Sequence, residues 1–176
     1  PNSVEITLFK SPEKFLDALL DTVKPDIVGF SNYSWNQELN RSIIHRTVEL
    51  FPDTVVCVGG PHIRTDPQGI ADYLKKYTEI DYYCMFEGEI PLGNIVKYFI
   101  ENGKPIKKDS CTKPLDGVSY LSNGKLIYPP IINNDKTISH IPSPYLTGIL
   151  DEFLESKKWV PLLETNRGCP FACTFC

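Results

Sequence analysis

The sequence predicts an α/β fold in which a doubly wound parallel sheet, of the Rossmann or flavodoxin type, carries helices on both faces. Two observations support this prediction. Short apolar runs alternate with segments of helical periodicity up to about residue 102, and such alternation builds a parallel sheet with right-handed crossovers. The runs are almost continuously apolar rather than alternating, which is typical of strands covered on both faces.

Four strands and four helices follow from these patterns. The predicted strands are 4–9, 26–30, 54–58 and 80–86, and the predicted helices are 11–23, 37–51, 69–77 and 89–102. Ser11 and Pro12 suit the cap and first turn of the first helix. The expected inward-facing residues are Phe15, Leu16, Leu19, Leu20 and Val23 in the first helix, Leu39, Ile43, Val48 and Leu50 in the second, and Ile95, Val96, Phe99 and Ile100 in the fourth. Because a doubly wound sheet usually has at least about five strands, we expect another strand and helix before residue 1.

The chain changes character after residue 104. We assign residues 1–104 to the α/β domain, 105–148 to a hairpin and Pro-rich linker, and 149–176 to the start of a β/α barrel. The hairpin is predicted over 119–128, turning at Asn123-Gly124. A helix over 145–157 and a strand over 159–164 should follow and lead into a cysteine-rich loop.

Composition excludes several functional classes. The net charge of −4 argues against nucleic-acid binding, and no apolar run approaches the roughly 20 residues of a membrane-spanning helix. Cys57 and Cys84 lie inside apolar runs, where we expect reduced, buried thiols, and Cys111 lies in a polar loop. A chain of this length does not need disulfides to fold, so we expect a cytoplasmic protein.

Polar and glycine-containing segments follow the last three predicted strands. They contain Ser31, Asn32, Tyr33 and Trp35 after the second strand, Gly59, Gly60, Pro61 and His62 after the third, and Glu87, Gly88 and Glu89 after the fourth. Because ligands bind outside the carboxyl ends of parallel strands, these segments predict a ligand site. Taken singly, each has an ordinary interpretation: a glycine turn, a surface histidine, or carboxylates at a helix N-terminus. No Gly-x-Gly-x-x-Gly or phosphate loop supports a nucleotide ligand.

Three cysteines close the chain. Cys169, Cys173 and Cys176 are separated by three and then two residues, and Phe175 precedes the last of them. Three thiolates can hold one face of an iron–sulfur cluster and leave one iron open, whereas ferredoxins usually supply four. A structural zinc site or an all-cysteine cluster, with the missing ligand further along the chain, stays possible at this point.

Together these motifs resemble the cobalamin-binding type of radical S-adenosylmethionine (SAM) enzyme. The resemblance implies a 4Fe–4S cluster on Cys169, Cys173 and Cys176, SAM on the open iron, and Phe175 against the adenine. Cobalamin would lie on the three segments that follow the strands. The resemblance also implies a 5′-deoxyadenosyl radical and, as the favoured outcome, methyl transfer to an unactivated carbon of a small-molecule substrate. A reductant such as flavodoxin or ferredoxin would supply the electron.

The resemblance has limits that leave two alternatives. The string Asp-x-His-x-x-Gly, with which many cobalamin domains ligate cobalt, is absent from the sequence, so no lower axial ligand is assigned. One alternative is a corrinoid- or iron–sulfur-binding carrier or sensor module without radical catalysis. The other is an enzyme like the methylthiotransferases, without cobalamin and with cluster cysteines in its first domain. The strand positions of Cys57 and Cys84 argue against that second alternative. In the favoured interpretation we expect this chain alone to be inactive.

Overall fold

The computed structural model describes residues 4–21, 24–129, 141–163, 171, 173 and 174. The chain divides into two compact units, Pro1–Ile132 and Asn133–Cys176. Among the described residues, no helix is long and apolar enough to cross a membrane.

The first unit contains a five-stranded mixed sheet whose spatial order equals the chain order. The strands are β1 (Ile27–Ser31), β2 (Val55–Gly59), β3 (Tyr82–Cys84), β4 (Val118–Ser122) and β5 (Lys125–Ile127). The first three strands pair in parallel, and β4 and β5 are added antiparallel. The helices are α1 (Pro12–Asp21), α2 (Gln37–Leu50), α3 (Pro67–Lys76) and α4 (Glu89–Asn102). This arrangement confirms the predicted α/β class with a Rossmann-like parallel part.

Helices cover both faces of the sheet, as predicted. On one face, Ile95 and Phe99 of α4 pack in a buried cluster with the odd residues of β2 and the outer residues of β3. On the other face, Ile44 of α2 and Ile70 of α3 pack over the alternate strand residues. The side chains of successive strand residues point to opposite faces, so the continuous apolar runs supply both clusters. The strand residues in the two clusters are Val55, Cys57, Tyr82 and Cys84 on the first face and Val28, Val56, Val58 and Tyr83 on the second.

A buried ion pair supports the amino-terminal edge of the sheet. Asp81 is 3 % exposed. Its carboxylate accepts hydrogen bonds from the backbone N–H of Val56 and from Nζ of Lys107, both at 2.9 Å. Lys107 also donates to the carbonyl of Thr54 at 2.6 Å. The segment after α4 is therefore anchored under the sheet, and the hairpin that follows belongs to the same unit.

The hairpin prediction is confirmed, and the structure shows where the hairpin lies in the fold. Asn123 and Gly124 have φ angles of 48° and 79°, which is the left-handed pair that an Asn-Gly turn of type I′ requires. Strand β4 pairs with β3, so the hairpin extends the main sheet rather than standing apart in a linker.

Four local predictions were wrong. Residues 4–9 form no strand, and Val4 and Ile6 are more than half exposed. A strand requires a neighbour for its backbone groups, and none of the described residues pairs with this segment. Leu20, Leu39 and Ile100 lie on the solvent sides of α1, α2 and α4, where the apolar stripe is narrower than the periodicity indicated. Val23 lies outside the described residues.

The second unit is less regular than predicted. A single short helix, α5 (Asp151–Leu154), replaces the helix expected over 145–157. Residues 159–163 belong to no ladder among the described residues, and Val160 and Leu162 are about nine-tenths exposed. The strand prediction fails here for the same physical reason as at residues 4–9, since extended backbone becomes a strand only beside a partner.

Candidate functional site

The carboxyl ends of β1, β2 and β3 lie at one edge of the sheet because the three strands are parallel. Three loops leave the sheet at this edge, residues 31–36, 59–62 and 86–89. We call this edge the rim. It contains the three segments from which the sequence predicted a ligand site.

Backbone hydrogen bonds join the first two rim loops. The N–H of Asn32 donates to the carbonyl of Gly59 at 2.6 Å, and the N–H of His62 donates to the carbonyl of Asn32 at 3.3 Å. The side-chain amide of Asn32 donates to the carbonyl of His62 at 3.0 Å. These two loops therefore form one hydrogen-bonded substructure.

Two tyrosine hydroxyls lie beneath this substructure. Oη of Tyr83 donates to the carbonyl of Gly60 at 2.7 Å, and Oη of Tyr73 accepts from the Asn32 amide at 2.9 Å. Burial raises the pKa of Tyr83 to about 12, although its hydrogen bond with Asn32 acts in the opposite direction. Burial likewise raises the pKa of Tyr73. Both phenols thus keep their protons at neutral pH.

The start of α2 holds the first loop from its other side. Asn36 accepts from the N–H of Tyr33 at 2.8 Å, and it donates to the carbonyl of Ser31 at 2.9 Å. Asn40 donates to the same Ser31 carbonyl at 2.6 Å. Asparagine suits such positions because its short amide bonds readily to nearby backbone.

Exposed groups surround this ordered backbone. Trp35 is 78 % exposed and stacks on the ring of Tyr33 with centroids 4.5 Å apart. Pro61 and His62 are also exposed. In contrast, Asn32 is only 1 % exposed, and all its described contacts are inside the protein. The predicted set thus divides into surface groups and one buried amide.

Two glycines have opposite surroundings: Gly60 packs closely within the rim, and Gly29 leaves open space on β1. Gly60 has a φ of +126°, and a Cβ there would lie 2.5 Å from the Asn32 carbonyl oxygen. A Cβ on Gly29 in β1 would have no atom within 4 Å. Ser31, which lies on the same sheet face as Gly29, is exposed. The backbone of β1 is consequently open up to the rim.

The third loop follows β3, whose last residue, Cys84, pairs with Gly59 at the end of β2. Gly88 and Glu87 are half-buried, and Glu89 is the first residue of α4. Sequence patterns did not single out Phe86, yet this aromatic residue is 47 % exposed and has a left-handed φ of 58°. A left-handed φ is uncommon for a bulky residue and marks a local constraint.

The cysteines fall into two groups. Cys57 and Cys84 are buried strand residues; burial raises the pKa of Cys84 to about 12 and that of Cys57 well above its usual value. Both side chains therefore favour the protonated thiol over the thiolate that binds metals. Cys173 is exposed, whereas Cys169, Phe175 and Cys176 lie outside the described residues. No group of three potential metal ligands occurs in the part that the structure describes.

Fold and rim together are typical of α/β domains that bind a ligand at the carboxyl edge of a parallel sheet. The family model named B12 binding domain matches residues 3–96, more than half of the chain. The chain belongs to this family of cobalamin-binding domains.

Curated relatives resemble the chain beyond that domain. The cobalamin-dependent radical SAM methyltransferase TokK of Streptomyces tokunonensis is 28 % identical over 159 residues, covering 88 % of this chain and 22 % of that protein. The 2-(S-pantetheinyl)-carbapenam-3-carboxylate methyltransferase of Streptantibioticus cattleyicolor is 28 % identical, with 86 % and 22 % covered. The anaerobic magnesium-protoporphyrin IX monomethyl ester cyclase of Rubrivivax gelatinosus is 28 % identical, with 89 % and 28 % covered. The chain thus spans less than a third of these relatives.

Proposed function

We propose that this chain provides the cobalamin-binding part and the first cluster ligands of a cobalamin-dependent radical SAM enzyme that methylates an unactivated carbon of a small molecule. The observation that carries the proposal is the rim, where hydrogen-bonded glycine backbone lies beside an exposed aromatic ring. Two of the relatives are named methyltransferases and a third is named a cyclase. Methyl transfer is therefore the favoured outcome among radical reactions.

The rim residues fit a large, flat, amide-bearing ligand such as cobalamin. The exposed ring of Trp35 offers an apolar surface for stacking. The open backbone at Gly29 allows close approach of a ligand, and Gly59 and Gly60 let the second loop pack closely against Cys84 and Asn32. The other proposed contacts are Ser31, Tyr33, Pro61, His62, Glu87, Gly88 and Glu89.

We propose the cluster ligands because cysteine thiolates are the usual protein ligands of iron–sulfur clusters. Cys169, Cys173 and Cys176 would hold three irons, and Phe175 would pack against the adenine of SAM. When bound, the cluster and SAM supply an organic radical, and cobalamin supplies a methyl group. The protein's own residues hold these groups, orient them and exclude water. Because Cys57 and Cys84 are buried and protonated, an additional cluster in the first unit is disfavoured.

The test is anaerobic expression of the complete protein with cobalamin supplied, followed by cluster reconstitution. Visible absorbance should report both cofactors, and SAM should be cleaved to 5′-deoxyadenosine under reducing conditions. A protein that binds cobalamin but neither holds a cluster nor cleaves SAM would be a carrier or sensor module. A protein that cleaves SAM without binding cobalamin would be an enzyme like the methylthiotransferases. Either result would contradict the proposal.

Two variants separate the sites. Cys173→Ala should abolish cluster loading and leave hydroxocobalamin binding intact. Trp35→Ala should weaken hydroxocobalamin binding roughly fivefold, because stacking on an aromatic ring contributes about 1 kcal/mol, and should leave the cluster intact. Leu20→Ala is the matched control, since Leu20 is also exposed, at 66 %, and lies in the last turn of α1, a helix that adjoins none of the three rim loops in the sequence.

A further inference from the structure

We propose that a buried polar network of Asn32, Tyr73 and Tyr83 positions the first two rim loops for their ligand without touching it. The inference rests on the proposed cobalamin site, because the same loops form that site. Tyr83 is fully buried and Asn32 is 1 % exposed, so neither side chain can contact a ligand on the rim. Their effect on binding must pass through the backbone that they hold.

Tyr83 fixes the second loop. The residue lies in β3, in register with Val58 of β2, and its hydroxyl reaches past the end of β2 to the carbonyl of Gly60 at 2.7 Å. Gly60 has a φ of +126°, which is only one of the many backbone conformations that a glycine in a flexible loop can adopt. The phenol hydrogen bond selects one of them.

Asn32 ties the first loop to the second. Its side-chain amide lies 3.0 Å from the carbonyl oxygen of His62, 2.9 Å from Oη of Tyr73 and 3.4 Å from Oη of Tyr83. Its backbone N–H and carbonyl bond to Gly59 and His62. Any other loop arrangement would leave several buried polar groups unpaired, and unpaired buried groups are strongly disfavoured. The network therefore favours a single rim conformation before a ligand arrives.

The chain contains a matched pair of tyrosines for a test. Tyr82 and Tyr83 are adjacent and fully buried, and each donates its hydroxyl proton to a backbone carbonyl at 2.7 Å. Tyr83 bonds at the rim, whereas Tyr82 bonds to Ile106, which precedes the lysine that anchors the opposite edge of the sheet. Tyr83→Phe and Tyr82→Phe thus remove the same chemical group at comparable burial.

The experiment titrates hydroxocobalamin into the complete protein and its two variants, with thermal unfolding measured in parallel. Tyr83→Phe should weaken binding roughly fivefold to tenfold, because fewer molecules hold the binding-competent rim. It should also change the visible circular dichroism of the bound cobalamin. Tyr82→Phe should lower the melting temperature to a similar extent and leave the affinity and the visible spectrum unchanged.

Each result is decisive. Equal affinity in the two variants would overturn the positioning role and leave the proposed function standing, whereas absence of binding by the unmodified protein would overturn both. If Tyr83→Phe does not fold, Tyr73→Phe replaces it, since Tyr73 is half-buried and its hydroxyl bonds to Asn32, while its ring, which phenylalanine keeps, packs edge-on against that of Tyr83 with centroids 5.6 Å apart. That variant should weaken binding roughly twofold to threefold, and unchanged affinity would refute the inference.

Discussion

Replacing Gly60 with alanine is the most direct test of the rim geometry. Gly60 has a φ of +126°, which L residues rarely adopt. A Cβ there would lie 2.5 Å from the carbonyl oxygen and 2.9 Å from the nitrogen of Asn32. These are backbone atoms of a buried residue, so they cannot rotate away as a flexible side chain would. The substitution must strain the backbone, displace the first loop, or do both.

The expected cost can be worked out from these contacts. An unfavourable φ contributes about 1–3 kcal/mol, and forcing a methyl group into packed surroundings contributes about 1–3 kcal/mol more. The free energy of unfolding should therefore fall by about 2–6 kcal/mol, out of a total of about 5–15 kcal/mol. At about 2–4 °C per kcal/mol, the melting temperature should fall by at least about 4 °C.

The assay is thermal unfolding followed by circular dichroism, together with hydroxocobalamin titration. Gly93→Ala is the control, because Gly93 lies in the exposed middle of α4 and a Cβ there meets no atom within 4 Å. That substitution should raise stability by about 0.5–1 kcal/mol, since alanine is the better helix former. If the Gly60→Ala protein had the same melting temperature and the same affinity for hydroxocobalamin as the unmodified protein, the described conformation of the rim would be refuted.

Three further predictions concern groups away from the rim. Ser119→Ala should raise the free energy of unfolding by about 1 kcal/mol, because the buried Ser119 hydroxyl has no hydrogen-bond partner among the described residues. Lys107→Met should lower the free energy of unfolding by about 2 kcal/mol, because it leaves the buried Asp81 carboxylate without its cation, although Lys107 is partly solvated. The hydrogen bond to Glu79, and then its charge, raises the pKa of His45 above 6.5. This contribution is complete below pH 6.5 and is lost as the pH rises through the raised pKa, so His45→Gln should flatten the pH dependence of stability in that window.

The first two of these predictions have controls in urea or thermal unfolding. Thr54→Val removes a buried hydroxyl that does have a partner, the carbonyl of Pro25 at 2.7 Å, and should lower stability by about 1 kcal/mol. Lys24→Met breaks an exposed pair with Asp53 and should change stability by less than about 0.5 kcal/mol. A Ser119→Ala protein that is less stable, a Lys107→Met protein as stable as Lys24→Met, or a His45→Gln protein with an unaltered pH profile would contradict the respective argument.

The parts of the fold that the sequence predicted are those in which local and tertiary preferences agree. Helix α4 was predicted with its observed limits, and the hairpin turn was predicted at its observed position, Asn123-Gly124. Strands β1 and β2 were predicted within one residue because their apolar runs are bounded by turn residues. Residues 4–9 and 159–163 have the composition of strands, but a ladder depends on a neighbour that composition does not reveal.

The site was predicted from topology, since parallel strands place their following loops at one edge. The sequence did not predict which of the site residues are exposed and which are buried beneath the loops. Asn32 and Trp35 are equally plausible ligand contacts in the sequence, yet Asn32 is buried and Trp35 is exposed. Tyr83 could have been selected, because a tyrosine inside a buried strand must find an acceptor for its hydroxyl. That acceptor, the carbonyl of Gly60, is known only from the strand register.

A rim that offers its backbone to a ligand needs support from elsewhere in the protein. Glycine permits close approach, but it also loses the most conformational freedom on folding, so a glycine loop tends to populate several conformations. The side chains that could restrain the loop must come from beneath, because a restraint on the exposed side would occupy the ligand's place. Tyr83 in β3 and Asn32 at the end of β1 meet this requirement, since both are buried and both bond to the loop that contains Gly60 and His62. One polar side chain within β3 and one just after β1 thus support the rim, while the apolar side chains of the strands form the core.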